Sequence, residues 1–282
     1  MGYLDDLSLG GSPEMVAADV ETIERECSEL GLSLNRTKCE IIASPGVELE
    51  YDALRQFARI DPGSAMLLGA PILASDALRV ALEEREEELC RALDRLALIG
   101  RQDALLLLRC SLGSPKLLYT MRCSPCDGHP GLESYDRRLH NGLEVILNIK
   151  FTIHQWRQAT LPIKMGGLGV RRVSSLALPA FLASAAGTLE LQSSILGELS
   201  TPADIRFLFS LEEWRSRTGI SADAGEAPRS QTGWDRPLIL RRWPRWRQTS
   251  WIPWSRRDTR QSRRSTQGTG CTRCRSPPVA FV

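Results

Sequence analysis

The 282 residues are 42% apolar, with 36 Lys or Arg against 34 Asp or Glu and a net charge of +2. That supplies a core for one or two domains. Eight cysteines are scattered without regular spacing, and Cys27 and Cys90 fall on apolar helical faces; this speaks for reduced thiols and against a secreted disulfide scaffold. No secretory leader or membrane-length apolar run is visible, so the expected setting is intracellular, cytoplasm or nucleus, with no membrane partner.

The chain opens on two adjacent carboxylates, Asp5 and Asp6, between short apolar stretches (Tyr3, Leu4 and Leu7, Leu9), with Gly10 and Gly11 following. This pattern predicts a tight β-hairpin whose turn carries the acids. Hard oxygen ligands of this kind suit Mg²⁺. A plain solvated turn has the same local signature, because Asp favours turns through its own side-chain hydrogen bonds.

Ser12, Pro13 and Glu14 form a helix start: N-cap, first helical position and first-turn acid. Val16, Val20, Ile23, Cys27 and Leu30 recur at three- and four-residue spacing, which predicts one buried helical face ended by Gly31. Alternation in Leu32, Ser33 and Leu34 predicts a short strand, Asn35 to Thr37 a turn, and the run from Lys38 to Ile42 a second strand. Leu54, Phe57 and Ile60 suggest a short amphipathic helix over residues 51–60, stopped by Asp61-Pro62-Gly63.

Residues 77–99 predict a long helix, with Leu78, Leu82, Leu89, Leu93 and Leu96 on one side, glutamates at 83, 84, 86, 87 and 88, and Gly100 as its C-cap. A second, strongly apolar helix is expected from Asp103 towards Arg122, antiparallel to the first across a short connection. Cys123, Cys126 and His129 share metal-ligand spacing, but no fourth ligand is evident; a loop between helices is the competing reading. Residues 132–148 and 173–190 read as further helices. Gly166-Gly167-Leu168-Gly169 lacks the spacing of a dinucleotide fingerprint and reads as a turn.

Composition changes at Trp234. From Asp235 onward there are twelve Arg, two Asp and no Lys or Glu, a net +10, with Trp243, Trp246, Trp251 and Trp254 among the arginines. Aromatics beside arginines suit stacking and phosphate contact in a nucleic-acid-binding tail.

Several of these segments together carry a resemblance. Tyr3-Leu4-Asp5-Asp6 resembles the Tyr-x-Asp-Asp hairpin of reverse transcriptases. The run from Gly31 to Ile41 (GLSLNRTKCEI) resembles the segment after that hairpin in reverse transcriptases of non-LTR, LINE-like retroelements. Leu67-Leu68-Gly69-Ala70-Pro71-Ile72 is similar to the family's primer grip, and Leu161 to Arg171 to a Pro…Gly-Gly-Leu-Gly segment beyond the thumb. The resemblance covers about residues 1–235.

It implies an α+β chain: a polymerase palm remnant over 1–75, a thumb helical hairpin over 76–125, a helical connection region over 126–233, and a disordered Arg/Trp-rich tail over 234–282. The intact family is an RNA-directed DNA polymerase, a Mg²⁺-dependent nucleotidyltransferase of retrotransposons that uses two metal ions, an RNA template, a DNA primer and dNTPs. By the resemblance, Asp5 and Asp6 are metal ligands and catalytic residues, Tyr3 lies near the primer end, and Lys38 lies near the triphosphate. Lys38 has an equal claim to be an ordinary exposed cation. Nucleic-acid contacts would fall on Leu68, Gly69, Lys116, Lys164, Arg171 and Arg172, and the glutamate cluster would have to face away from the duplex.

The family's third carboxylate comes from a strand before the hairpin, so the expected state of this polypeptide by itself is a truncated, inactive one. The tail is expected to be a frameshifted translation. With permitted codons and reading from each codon's last base, residues 270–280 become Trp-Leu-His-Ala-Leu-Pro-Ile-Ser-Ser-Cys-Gly, which resembles a segment found past the thumb in the same family. Two other readings stand beside the polymerase fragment: a nonenzymatic helical nucleic-acid-binding protein, and a degenerate retroelement reading frame without a cooperative fold. Template specificity and oligomeric state are not legible.

Overall fold

Ser12 starts the first helix as its spacing predicts: its Oγ accepts from the Met15 amide at 3.3 Å, and Pro13 occupies the first helical position. The computed structural model describes residues 2–3, 6–44, 46–47, 49–73, 75–196, 204–221, 228 and 230–242. Helix α1 (Pro13–Glu29) ends at Gly31, whose φ of 76° closes a left-handed cap. There the Leu32 amide donates to Cys27 O and the Gly31 amide to Ser28 O.

The chain is mostly helical with a few short strands, which is compatible with an α+β class. Among the described residues the strands form three separate pairs. Strands β1 (Gly2–Tyr3) and β2 (Asp6–Leu7) are antiparallel, with Gly2 opposite Leu7 and Tyr3 opposite Asp6. Strands β3 (Glu40–Ile42) and β4 (Ala58–Ile60) are parallel, and β5 (Met66–Leu67) and β6 (Ala70–Pro71) form a second hairpin. A small apolar cluster of Ala17, Val20, Ala53 and Leu54 joins α1 to the segment before β4.

Two expectations fail in this N-terminal part. Residues 32–34 form no strand; a 3₁₀ turn over Arg36–Lys38 precedes β3, which starts at Glu40. Residues 51–60 are not a helix: a 3₁₀ turn at Asp52–Leu54 is followed by β4. A segment this short gains little from an isolated helix, whereas pairing with β3 satisfies its backbone.

The helical body begins with α2 (Asp76–Leu96), whose Leu78, Leu82, Leu89, Leu93 and Leu96 are all buried. Gly100 does not cap it; Ala97 does, and Gly100 opens α3 (Arg101–Leu107) instead. The expected continuous second helix is broken. A π turn at Leu108–Leu112 leads to Gly113 and a 3₁₀ turn at Ser114–Leu117, before α4 (Leu118–Cys123) resumes. Gly113, with non-helical backbone angles, and Pro115, which has no N–H to donate, both disfavour an uninterrupted helix there.

Helices α5 (Pro130–Leu147) and α7 (Val173–Gly187) lie within a few residues of the expected 132–148 and 173–190, with α6 (Ile153–Ala159) between. The main core runs from Leu78 through Leu108, Met121, Leu139 and Leu143 to Val173 and Ala180. The other side of α7, Leu178 and Leu182, packs with Phe207, Leu211, Trp214, Trp234 and Leu238. These come from α9 (Ile205–Thr218) and α10 (Gln231–Arg242); α8 (Leu189–Leu196) precedes them.

Chain contacts divide the molecule into Met1–Leu238 and Ile239–Val282. The expected tail boundary at 234 is too early, because Trp234, Asp235 and Leu238 are buried. The tail from 243 onward, with its tryptophans, lies outside the described residues. Among the described residues one helical stretch, Val173–Ser194, is long and apolar enough to cross a membrane. Its first ten residues are largely buried by other helices, which is compatible with a soluble protein.

Candidate functional site

The register of β1 and β2 sets Tyr3 opposite Asp6 and leaves two residues, Leu4 and Asp5, to connect the strands. Leu4 and Asp5 lie outside the described residues; for Tyr3 and Asp6 the backbone positions are described. Asp6 is thus the first residue of β2, not part of the turn that the sequence pattern predicts for both acids. Carboxylate oxygens are the donor type that Mg²⁺ takes. Among the described residues no group of three or more His, Cys, Asp or Glu side chains could hold a metal ion.

Lys38 is exposed at the end of the 3₁₀ turn rather than in a strand. The turn is tied down by its neighbour Arg36, which pairs with Glu24 of α1 at 2.5 Å and donates from Nη1 to Ala53 O at 3.1 Å. Hydrogen bonding to Arg36 holds the Glu24 carboxyl below its usual range. Burial raises the adjacent Cys39 thiol. No sequence spacing signals this tie, which closes a loop between residues 24, 36 and 53.

Leu68 and Gly69 form the turn between β5 and β6, with φ of 48° and 76°. Leu68 is half exposed, and its carbonyl accepts from Tyr119 Oη at 2.7 Å. Lys116, in the 3₁₀ turn before α4, is exposed and lies 3.7 Å from Glu88. Hydrogen bonding from Arg85 is the main influence holding the Glu88 carboxyl down. The glutamate cluster is largely consumed by such pairs: Glu83 with Arg79, Glu87 with Arg91, and Glu86 with Arg138 and Ser134 of α5.

Two of the expected phosphate contacts are committed elsewhere. Arg171 makes a two-pronged pair with Asp235, at 2.8 and 2.9 Å. Arg172 donates to Asp136, a buried carboxylate of α5. Asp136 also accepts from the Val173 amide (2.8 Å), the Ser174 amide (3.3 Å) and Ser174 Oγ (2.5 Å), so it anchors the start of α7. Burial raises its carboxyl above the usual range despite these partners. Lys164 stays exposed, in a 3₁₀ turn before the glycines.

Those glycines serve a turn. Gly166 and Gly169 have φ of 81° and 77°, and a Cβ on Gly167 would stand 2.1 Å from Leu161 O. The Cys123, Cys126 and His129 group is likewise absorbed by the fold. His129 Nδ1 accepts from the Gly131 amide at the start of α5, and burial pushes the Cys126 thiol up to about 12.

No family model, curated protein or solved structure matches this chain. The site's chemistry therefore rests on its residues alone.

Proposed function

We propose that the chain is the later part of a non-LTR-type reverse transcriptase: the end of the palm with its Asp5–Asp6 hairpin, followed by thumb and connection helices. The observation that carries this reading is the β1–β2 register, which pairs Tyr3 with Asp6 immediately before a helix capped at Ser12. The hairpin, helix and strand β3 of the expected order support it, while the strand expected at residues 32–34 is missing.

In this reading Asp5 and Asp6 would hold Mg²⁺, which when bound supplies charge neutralisation at the transferring phosphate. Tyr3 would border the primer end. Lys38, exposed and unencumbered by the strand, would approach the triphosphate, where a cation offsets charge on the departing oxygens. Lys116 and Lys164 would meet backbone phosphate, while Arg171 and Arg172 act internally and leave the contact set. The thumb and connection helices would grip a primer–template duplex.

The test is fluorescence anisotropy with an RNA template annealed to a DNA primer, recessed at its 3′ end, against a blunt hybrid of equal length. The expected result is tighter, salt-sensitive binding of the recessed end. Equal affinity for the two duplexes would overturn the reading.

A further inference from the structure

The β5–β6 hairpin is tied to the helical body by polar bonds as well as by burial of its outgoing strand. Ala70 and Pro71 are buried, but Met66, Leu67 and Leu68 at the tip are all near half exposed. Three side chains from that body each donate to a different hairpin carbonyl. Tyr119 Oη reaches Leu68 O (2.7 Å), Ser124 Oγ reaches Pro71 O (2.5 Å), and Arg206 Nη1 reaches Ile72 O (2.9 Å).

The donors come from the start of α4, the C-cap of α4 and the start of α9. Between them they grip both the turn and the outgoing strand. The grip coincides with strain, because Leu68 adopts a left-handed conformation (φ 48°) that a bulky side chain disfavours. A strained turn persists only when its surroundings over-determine it. The apolar cluster of α1 and residues 53–54 includes no hairpin residue.

We infer that Tyr119, Ser124 and Arg206 are positioning residues for the 66–72 hairpin, and that α9 sets the pose of the Leu68–Gly69 tip through Arg206. The consequence for nucleic acid rests on the reading above: a tip held in one pose would select a recessed primer end. Helix α9 lies more than a hundred residues further along the chain, so it would tune that end from a distance in sequence but not in space.

The test uses the full chain and the variants Tyr119→Phe, Ser124→Ala, Arg206→Met and Arg206→Lys. Amide hydrogen exchange across residues 66–72 is read first, then the ratio of affinities for recessed and blunt hybrids. Loss of one such bond is expected to speed exchange in the hairpin about tenfold in Tyr119→Phe and Arg206→Met. Arg206→Lys, which keeps a donor, is expected to restore most of the protection. The recessed-end preference should fall towards unity in the same variants that exchange faster.

Unchanged exchange at 66–72 in every variant would overturn the inference, as would faster exchange with the end preference intact. If the unsubstituted chain binds both hybrids equally, the polymerase reading fails and takes the nucleic-acid consequence with it. Exchange alone then decides whether α4 and α9 position the hairpin.

Discussion

Replacing Asp136 by Ala should be among the most damaging single changes in the helical body, and replacing it by Asn much milder. Asp136 accepts from two amides and one hydroxyl at the start of α7, the helix whose opposite sides feed both large apolar clusters. Alanine would leave these donors without their acceptor in a buried place. At roughly 1–3 kcal/mol for a buried group left unsatisfied, with some relief from repacking, about 3 kcal/mol is expected. Asparagine keeps one oxygen. Burial already disfavours the charged carboxyl, and Arg172 is about a third exposed and retains water, so the lost charge costs little. Asp136→Asn should therefore cost about 1 kcal/mol. Urea unfolding followed by circular dichroism and tryptophan fluorescence gives both values, provided the denaturant slope is unchanged. Equal losses in the two variants, or less than about 1 kcal/mol for Asp136→Ala, would refute the acceptor role. A chain that showed no cooperative transition at all would favour the degenerate-frame alternative.

Gly167→Ala should cost more than about 3 kcal/mol, because the new Cβ meets the backbone at Leu161 O. Gly128→Ala, at φ 77° with open space around it, should cost only about 1 kcal/mol; chemical denaturation of the two variants checks the contrast. Trp214→Phe should destabilise by about 2 kcal/mol, since its Nε1 donates to Trp234 O inside the second cluster. Trp234→Phe should cost less, because the Trp234 indole N–H has no acceptor among the described residues; thermal melts of the pair would reverse order if that geometry were wrong. Glu144 is held below the usual carboxylate range by Lys150 first and then by the Phe151 amide. A depressed carboxyl stabilises the fold above its unfolded value and loses that contribution as pH falls through the folded one. Glu144→Gln should thus be less stable than the parent at neutral pH and converge with it in acid, read from melting temperatures across the titration.

Much of the helical architecture was legible because capping and apolar spacing agree locally. Ser12 with Pro13, the leucines of α2 and the stretch around α5 each combine a start signal with one buried face. Legibility failed where tertiary pairing overrode a short pattern. Residues 51–60 have helical spacing, yet Ala58–Ile60 pairs with β3. The α3–α4 segment has an apolar run at Ala104–Leu108, and the break after it falls at Gly113 and Pro115, which a periodicity count does not register. Composition misplaced the end of the packed body, because a run rich in arginine hid Trp234 and Asp235.

For the site, the opening hairpin was visible as a local motif and strands β1 and β2 pair as it predicts, whereas the hairpin at Leu68–Gly69 was not expected and emerges only from the structure. The pairings of Arg36 with Glu24, Arg171 with Asp235 and Arg172 with Asp136 were not visible. They join residues twelve, sixty-four and thirty-six positions apart, and nothing in a single sequence marks which carboxylate an arginine will meet. That is why two internal arginines were assigned to phosphate.

The most direct test of the metal assignment is a Mn²⁺ titration of the full chain, followed by paramagnetic broadening of its amide signals. Broadening centred on residues 2–8, stronger than at the exposed Glu83–Glu84 pair and abolished by Asp5→Asn together with Asp6→Asn, is the predicted result. Broadening that survives the double substitution, or that centres on another group of acids, would contradict it.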